Sequence, residues 1–179
     1  PFDNQQVRQA LCYAIDRQSI MDMIADGHGT ALGSSIYPAF TKYFLPELVQ
    51  KYPYDPAKAK ELLAQAGYPN GFDMTITVPS NYQPHMDTAQ VIVEQLKAVG
   101  INATIQPVTW ESWVQDTYSN RQFQSTVVGV DASADPAHLK ESDFYALDPA
   151  RVNVNGTLAV TRLLDRTIWT ENSPLKIAG

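Results

Sequence analysis

Hydrophobic positions along this chain follow two different periods, and each switch between them marks an element. Val7, Ala10, Leu11, Ala14 and Ile15 recur at i, i+3, i+4, i+7 and i+8, which predicts an amphipathic first helix. Ile20, Met23 and Ile24 continue or restart it as far as Gly27, with Asp16 available to cap the restart. Residues 52–80, YPYDPAKAKELLAQAGYPNGFDMTITVPS, hold the densest run of signals. Asp55 serves as N-cap and Pro56 as first helical residue, where the missing proline N–H costs nothing. Ala59, Leu62, Leu63 and Ala66 then recur at helical spacing, and Gly67 offers a left-handed stop. After the turn residues Pro69, Asn70 and Gly71 the period drops to two. Phe72, Met74, Ile76 and Val78 alternate with Asp73, Thr75 and Thr77, which predicts a strand with one apolar face.

The alternation of element types continues downstream. A helix from about His85 carries Ala89, Ile92, Val93, Leu96 and Val99 inward and stops at Gly100, and Ile101, Ala103 and Ile105 define a second strand. Thr109 caps a third helix in this series, with Trp110, Trp113, Val114 and Thr117 on one side, before residues 123–130 give a third strand. The order β-α-β-α-β predicts an α/β fold, a parallel sheet with flanking helices and right-handed crossovers. Residues 1–179 read as a single lobe without repeats or low-complexity tracts. Residues 28–54 place Pro38, Pro46 and Pro53 among Tyr37, Phe40, Tyr43, Phe44 and Tyr52, an irregular layer anchored by aromatic rings.

In an open parallel sheet the ligand crevice lies beyond the carboxyl ends of the strands, so three loops should meet there. They are 79–83 (PSNYQ), 108–110 (VTW) and 129–136 (GVDASADP), and they supply Asn81, Tyr82, Trp110, Gly129, Asp131, Ser133 and Asp135 as candidate ligand-binding residues. The second loop opens a helix whose N–H groups favour an acceptor, and the two carboxylates of the third suit an ammonium group or sugar hydroxyls. Tyr82 and Trp110 offer flat apolar surface. Each also has a plainer role: Trp110 as core beside Trp113 and Val114, Asp135 as a turn residue before Pro136, Asn81 and Tyr82 as solvated loop.

Charge and composition narrow the function classes. The 19 acidic and 13 basic residues leave a net charge of −6 without a Lys or Arg cluster to follow a phosphate backbone, so no nucleic-acid partner is expected. With 44% hydrophobic and 18% charged residues the chain has the makings of one sizeable core, and it holds no run near the roughly 20 apolar residues of a membrane span. Cys12, the single cysteine, sits beside Leu11 and Ile15 on an apolar helix face and reads as a small core residue. His28, His85 and His138 are isolated, with no HExxH, CxxC or GxSxG around them, and GHGTALGSS matches no nucleotide-binding loop, so neither metal nor cofactor is expected. His28 fits a helix C-cap and turn; His85 and His138 flank two of the ligand loops, which leaves a role toward a chelated metal open. An enzyme of another class, a small α/β hydrolase or metal-dependent enzyme, would have to use Asp131, Asp135 and His138. A sensor or scaffold lobe without transport is the third alternative.

The stretch YPYDPAKAKELLAQAGYPNGF resembles the YPYDPEKAKALLAEAGYPDGF pattern of the family 5 extracellular solute-binding proteins, the oligopeptide- and dipeptide-binding proteins of ABC importers. The opening PFDN, with VRQAL and YAIDR after it, is similar to a second pattern of that family, and the resemblance runs from residue 1 to at least 135. It implies a periplasmic-binding-protein-like lobe, one of two, excised from a longer protein whose signal peptide or lipoprotein anchor lies upstream. It also implies a periplasmic or extracellular, membrane-anchored location, a small-molecule or peptide solute, an ABC permease as partner, and no catalysis. Arg8, Asp16 and Arg17 belong to its patterns and read as groups that cap backbone and pair across the lobe, while Lys58, Lys60 and Glu61 form a solvated face. In the peptide-binding relatives a Gly-Trp at the end of the third strand precedes an aspartate that pairs with the peptide's α-amino group. Here the matching stretch lacks the tryptophan and is one residue shorter. If the gap falls before Asp131, that residue takes the ammonium-binding role; if later, Ala132 occupies the position. Relatives that carry sugars or nickel complexes are further outcomes.

Overall fold

Capping side chains set where the first helices begin. In the computed structural model, which describes residues 1–33, 38, 41 and 44–129, Asn4 accepts from the Gln6 N–H at 2.8 Å and opens α1 (Gln5–Ala14). Asp16 accepts from the Ser19 N–H and restarts the chain as α2 (Arg17–Ile24), and Asp55 accepts from the Lys58 N–H ahead of α3 (Pro56–Gln65). Gly67 ends α3 at a φ of 91°, which lets the Tyr68 N–H return to the Leu63 carbonyl at 2.8 Å. Arg8 donates to the carbonyls of Phe2 and Asp3, and Arg17 to those of Cys12 and Tyr52, so both guanidiniums hold backbone in place. Tyr13 and Tyr52 meet edge to face at 5.4 Å and clasp the end of α1 to the start of α3.

The sheet follows in strict alternation: β1 (Asp73–Pro79), α4 (Gln83–Lys97), β2 (Asn102–Val108), a short α5 (Trp110–Ser112) that widens into a π-helical turn (Trp113–Ser119), and β3 (Ser125–Thr126). All pairs are parallel in the order β2-β1-β3, with Ile76 opposite both Ile105 and Ser125. Met74, Ile76 and Val78 join Ala89, Ile92 and Leu96 of α4 and the apolar faces of α1 and α3 in one core. Each of its large side chains contributes about 1.5–3 kcal/mol by leaving water. Cys12 lies within it, as the apolar helix face requires. Gly71 and Gly100 pack backbone to backbone where β1 and β2 begin: a Cβ on Gly71 would lie 1.8 Å from the Gly100 carbonyl oxygen.

Four expectations need correction. β1 is covered on both faces, with Thr77 only 5% exposed, because it is the central strand and the π-helical turn packs on the side away from α4. The helix expected from about His85 starts at Gln83, since Pro84 is readily accommodated in its first turn. Val114 lies at the surface, because the π-helical turn rotates it away from Trp113 and Thr117, which are buried. Among the described residues, the strand expected over 123–130 pairs only at Ser125–Thr126, because side chains take the neighbouring backbone partners: Gln124 accepts from the Thr75 N–H at 2.7 Å, and the Ser125 hydroxyl donates to the Thr75 carbonyl at 2.7 Å. Of the aromatic layer, Tyr52 is buried and Phe44 half-buried, while Tyr37, Phe40 and Tyr43 lie outside the described residues.

Candidate ligand site at the carboxyl edge of the sheet

The parallel order brings the carboxyl ends of β1, β2 and β3 to one edge, and described parts of all three loops meet there. Ser80 ties the first loop to the second through two bonds to the Val108 carbonyl, from its N–H at 2.9 Å and its hydroxyl at 3.0 Å. Tyr82, the N-cap residue of α4, meets the Trp110 ring edge to face at 5.6 Å. Both rings stand at the surface, 42% and 38% exposed, which places Trp110 outside the core. Thr109 caps α5 by accepting from the Ser112 N–H at 3.2 Å, and this cap fixes where Trp110 leaves the strand.

Trp110 is supported from beneath. It stacks on Trp113 at 5.2 Å and 10°, and Trp113 stacks in turn on Tyr118 at 6.0 Å. The second contact is five residues long, the spacing that a π-helical turn brings onto one face. Trp113 is anchored by its Nε1, which donates to the Thr126 hydroxyl at 2.9 Å; that hydroxyl donates to the Thr77 carbonyl at 2.6 Å. A rigid buried indole thus carries a half-exposed one at the sheet edge.

The third loop is fixed by a histidine. Gly129 donates its N–H to Nε2 of His85 at 2.9 Å, joining the end of the β3 segment to the first turn of α4. An accepting Nε2 carries no proton, so the proton of the neutral ring sits on Nδ1. Partial burial holds the imidazole below the ordinary histidine range, in agreement with that state. The Tyr82 ring lies 5.0 Å from the imidazole, centroid to centroid. Sequence reasoning weighed His85 only as a metal ligand; its place one turn past the first ligand loop was the available signal for a role at this edge.

Asn81 is exposed in the first loop, and Gly129 is exposed where the description ends. Asp131, Ser133, Asp135 and the alternative enzymatic residue His138 lie outside the described residues. Among the described residues no group of His, Cys, Asp and Glu is arranged to hold a metal ion, and His28 follows the α2 stop at Gly27 as an exposed turn residue. No described helix is long and apolar enough to cross a membrane.

Comparison with known proteins gives the family. Residues 1–144 match the family described as "Bacterial extracellular solute-binding proteins, family 5 Middle". The chain is 40% identical over 116 residues to heme-binding protein A of Haemophilus influenzae, covering 62% of this chain and 20% of that protein. It is 39% identical over 107 residues to a glutathione-binding protein of Escherichia coli, covering 59% and 20%. The ABC transporter-associated periplasmic binding protein DppA of Helicobacter pylori, solved with the peptide STSA, superposes with a TM-score of 0.67 at 28% identity, over 92% of this chain and 32% of that one. The chain therefore spans about a fifth of the length of these curated relatives. All three are named for binding.

Proposed function

The chain belongs to the bacterial extracellular solute-binding proteins of family 5, and from that premise we propose that it is one lobe of a solute-binding protein serving an ABC importer, with short peptides as solute. The carrying observation is the meeting of three loops at the carboxyl edge of the parallel sheet, with the Tyr82 and Trp110 rings presented there on a stacked base. The edge offers flat apolar surface for a peptide side chain, and Asp131 is the residue proposed for its α-amino group. Asn81, Gly129, Ser133 and Asp135 complete the proposed contact set. A peptide-bound solved relative supports this choice.

Capture follows from lobe closure. Solute held on this edge bridges to a second lobe of the same protein, and the closed form presents a composite surface to a permease. The protein works outside the cytoplasmic membrane, held to it by a lipid anchor or released into the periplasm. Binding and release need no covalent step.

The test is mass spectrometry of small molecules released on denaturing the full-length protein purified from its host, beside Trp110→Ala and Asp131→Ala variants. Short peptides recovered from the wild type and depleted in both variants are expected. A sugar, a metal chelate or a tetrapyrrole in their place would overturn the peptide assignment.

A further inference from the structure

The first and third loops are joined through a single imidazole. For His85 Nε2 to accept from the Gly129 N–H at 2.9 Å, the loop backbone has to come down onto the ring. A Cβ on Gly129 would lie 2.9 Å from the same nitrogen, so a side chain there would push the imidazole from its place. The imidazole also meets Tyr82, which meets Trp110, so one relay of contacts runs from Gly129 to the aromatic pair.

We propose that His85 is a positioning residue: its Nε2 latches the Gly129 backbone to the first turn of α4, and so fixes Gly129, one of the proposed solute contacts, beside the Tyr82 and Trp110 rings. The inference rests on the reading that these loops bind solute. A lone-pair acceptor is required, because a protonated ring would turn an N–H toward the Gly129 N–H and open the latch. Among the described residues, burial is the cause of the ring's altered titration, and Tyr82 is the titratable group in ring contact with it.

The test uses the full-length protein, His85→Leu, which removes the acceptor at similar size, and His85→Gln, whose amide oxygen replaces Nε2 without titrating. Two readouts are taken: hydrogen exchange at the Gly129 amide, and trialanine affinity from pH 7.5 to 5. In His85→Leu, exchange at Gly129 is expected to quicken and trialanine affinity to fall, each roughly tenfold, with the melting temperature kept; His85→Gln restores both. Wild-type affinity falls toward pH 5, and that of His85→Gln stays flat. Unchanged exchange or unchanged affinity in His85→Leu, or failure of His85→Gln to restore them, would overturn the proposal. If the wild type ignored trialanine and every other short peptide, the peptide reading would fall, and Gly129 exchange would still decide the latch.

Discussion

At the scale of single residues, two glycines that look alike in the sequence carry different loads. Gly67 and Gly71 both hold a positive φ, 91° and 74°. A side chain at Gly67 meets nothing within 4 Å, so Gly67→Ala costs only the left-handed backbone, about 1–2 kcal/mol. At Gly71 the added carbon would lie 1.8 Å from the Gly100 carbonyl oxygen, and the starts of β1 and β2 must separate to admit it. Gly71→Ala is therefore expected to lower the urea midpoint well beyond Gly67→Ala; equal shifts would refute the close approach. His85 gives a second prediction, in pH. Its folded-state titration lies below the unfolded value, so the unfolded chain takes up the proton first. The stability from its neutral form is whole above about pH 6.5 and is lost as pH falls below that. Thermal midpoints between pH 7 and 5 should fall more steeply for the wild type than for His85→Gln. Cys12, Arg8 and the caps at Asp16 and Asp55 were legible from the sequence, since each acts on backbone or neighbours within its own segment or on an apolar face. The bond from His85 to Gly129 spans 44 residues, and no local pattern announces it.

At the scale of elements, legibility tracked how far periodicity decides the outcome. α1, α3 and α4 bury the apolar positions their spacing names, and the parallel order of the strands follows from the helical crossovers between them. The pattern misled where side chains compete for backbone groups. Phe123 to Val127 alternates well enough to suggest a longer strand, yet Gln124 and Ser125 use side chains to hold both backbone groups of Thr75, and the ladder shortens to two residues. The π-helical turn was likewise invisible, since Trp113 and Tyr118 meet only at a five-residue repeat. Gln124→Ala tests the substitution of side chain for ladder. It leaves the Thr75 N–H and hydroxyl without their acceptor, so a loss of about 1–3 kcal/mol and faster exchange at the Thr75 amide are expected from denaturation and hydrogen exchange. An unaltered Thr75 amide would mean that β3 can extend and replace the lost bonds.

At the scale of the whole molecule, the described residues of the proposed site form an edge and not an enclosed pocket. Tyr82, Asn81, Trp110 and Gly129 are all open to solvent, so a peptide laid against them keeps one side in water. Ligand pockets bury some 70–90% of a small ligand's surface, and one edge cannot supply that. Tight capture therefore has to come from a second surface closing over the first, which is the role proposed for the other lobe. The same geometry predicts how affinity divides. Residues 1–179 alone would retain the stacking surface but lose the covering contacts, along with the ordering that closure supplies. Calorimetric titration with a peptide that the full-length protein binds at micromolar concentration is expected to show at least a hundredfold weaker binding for residues 1–179, with circular dichroism confirming the α/β fold in the same sample. Affinity within tenfold of the full-length protein would mean that this edge holds its solute unaided, and lobe closure would then serve recognition by the permease instead of capture.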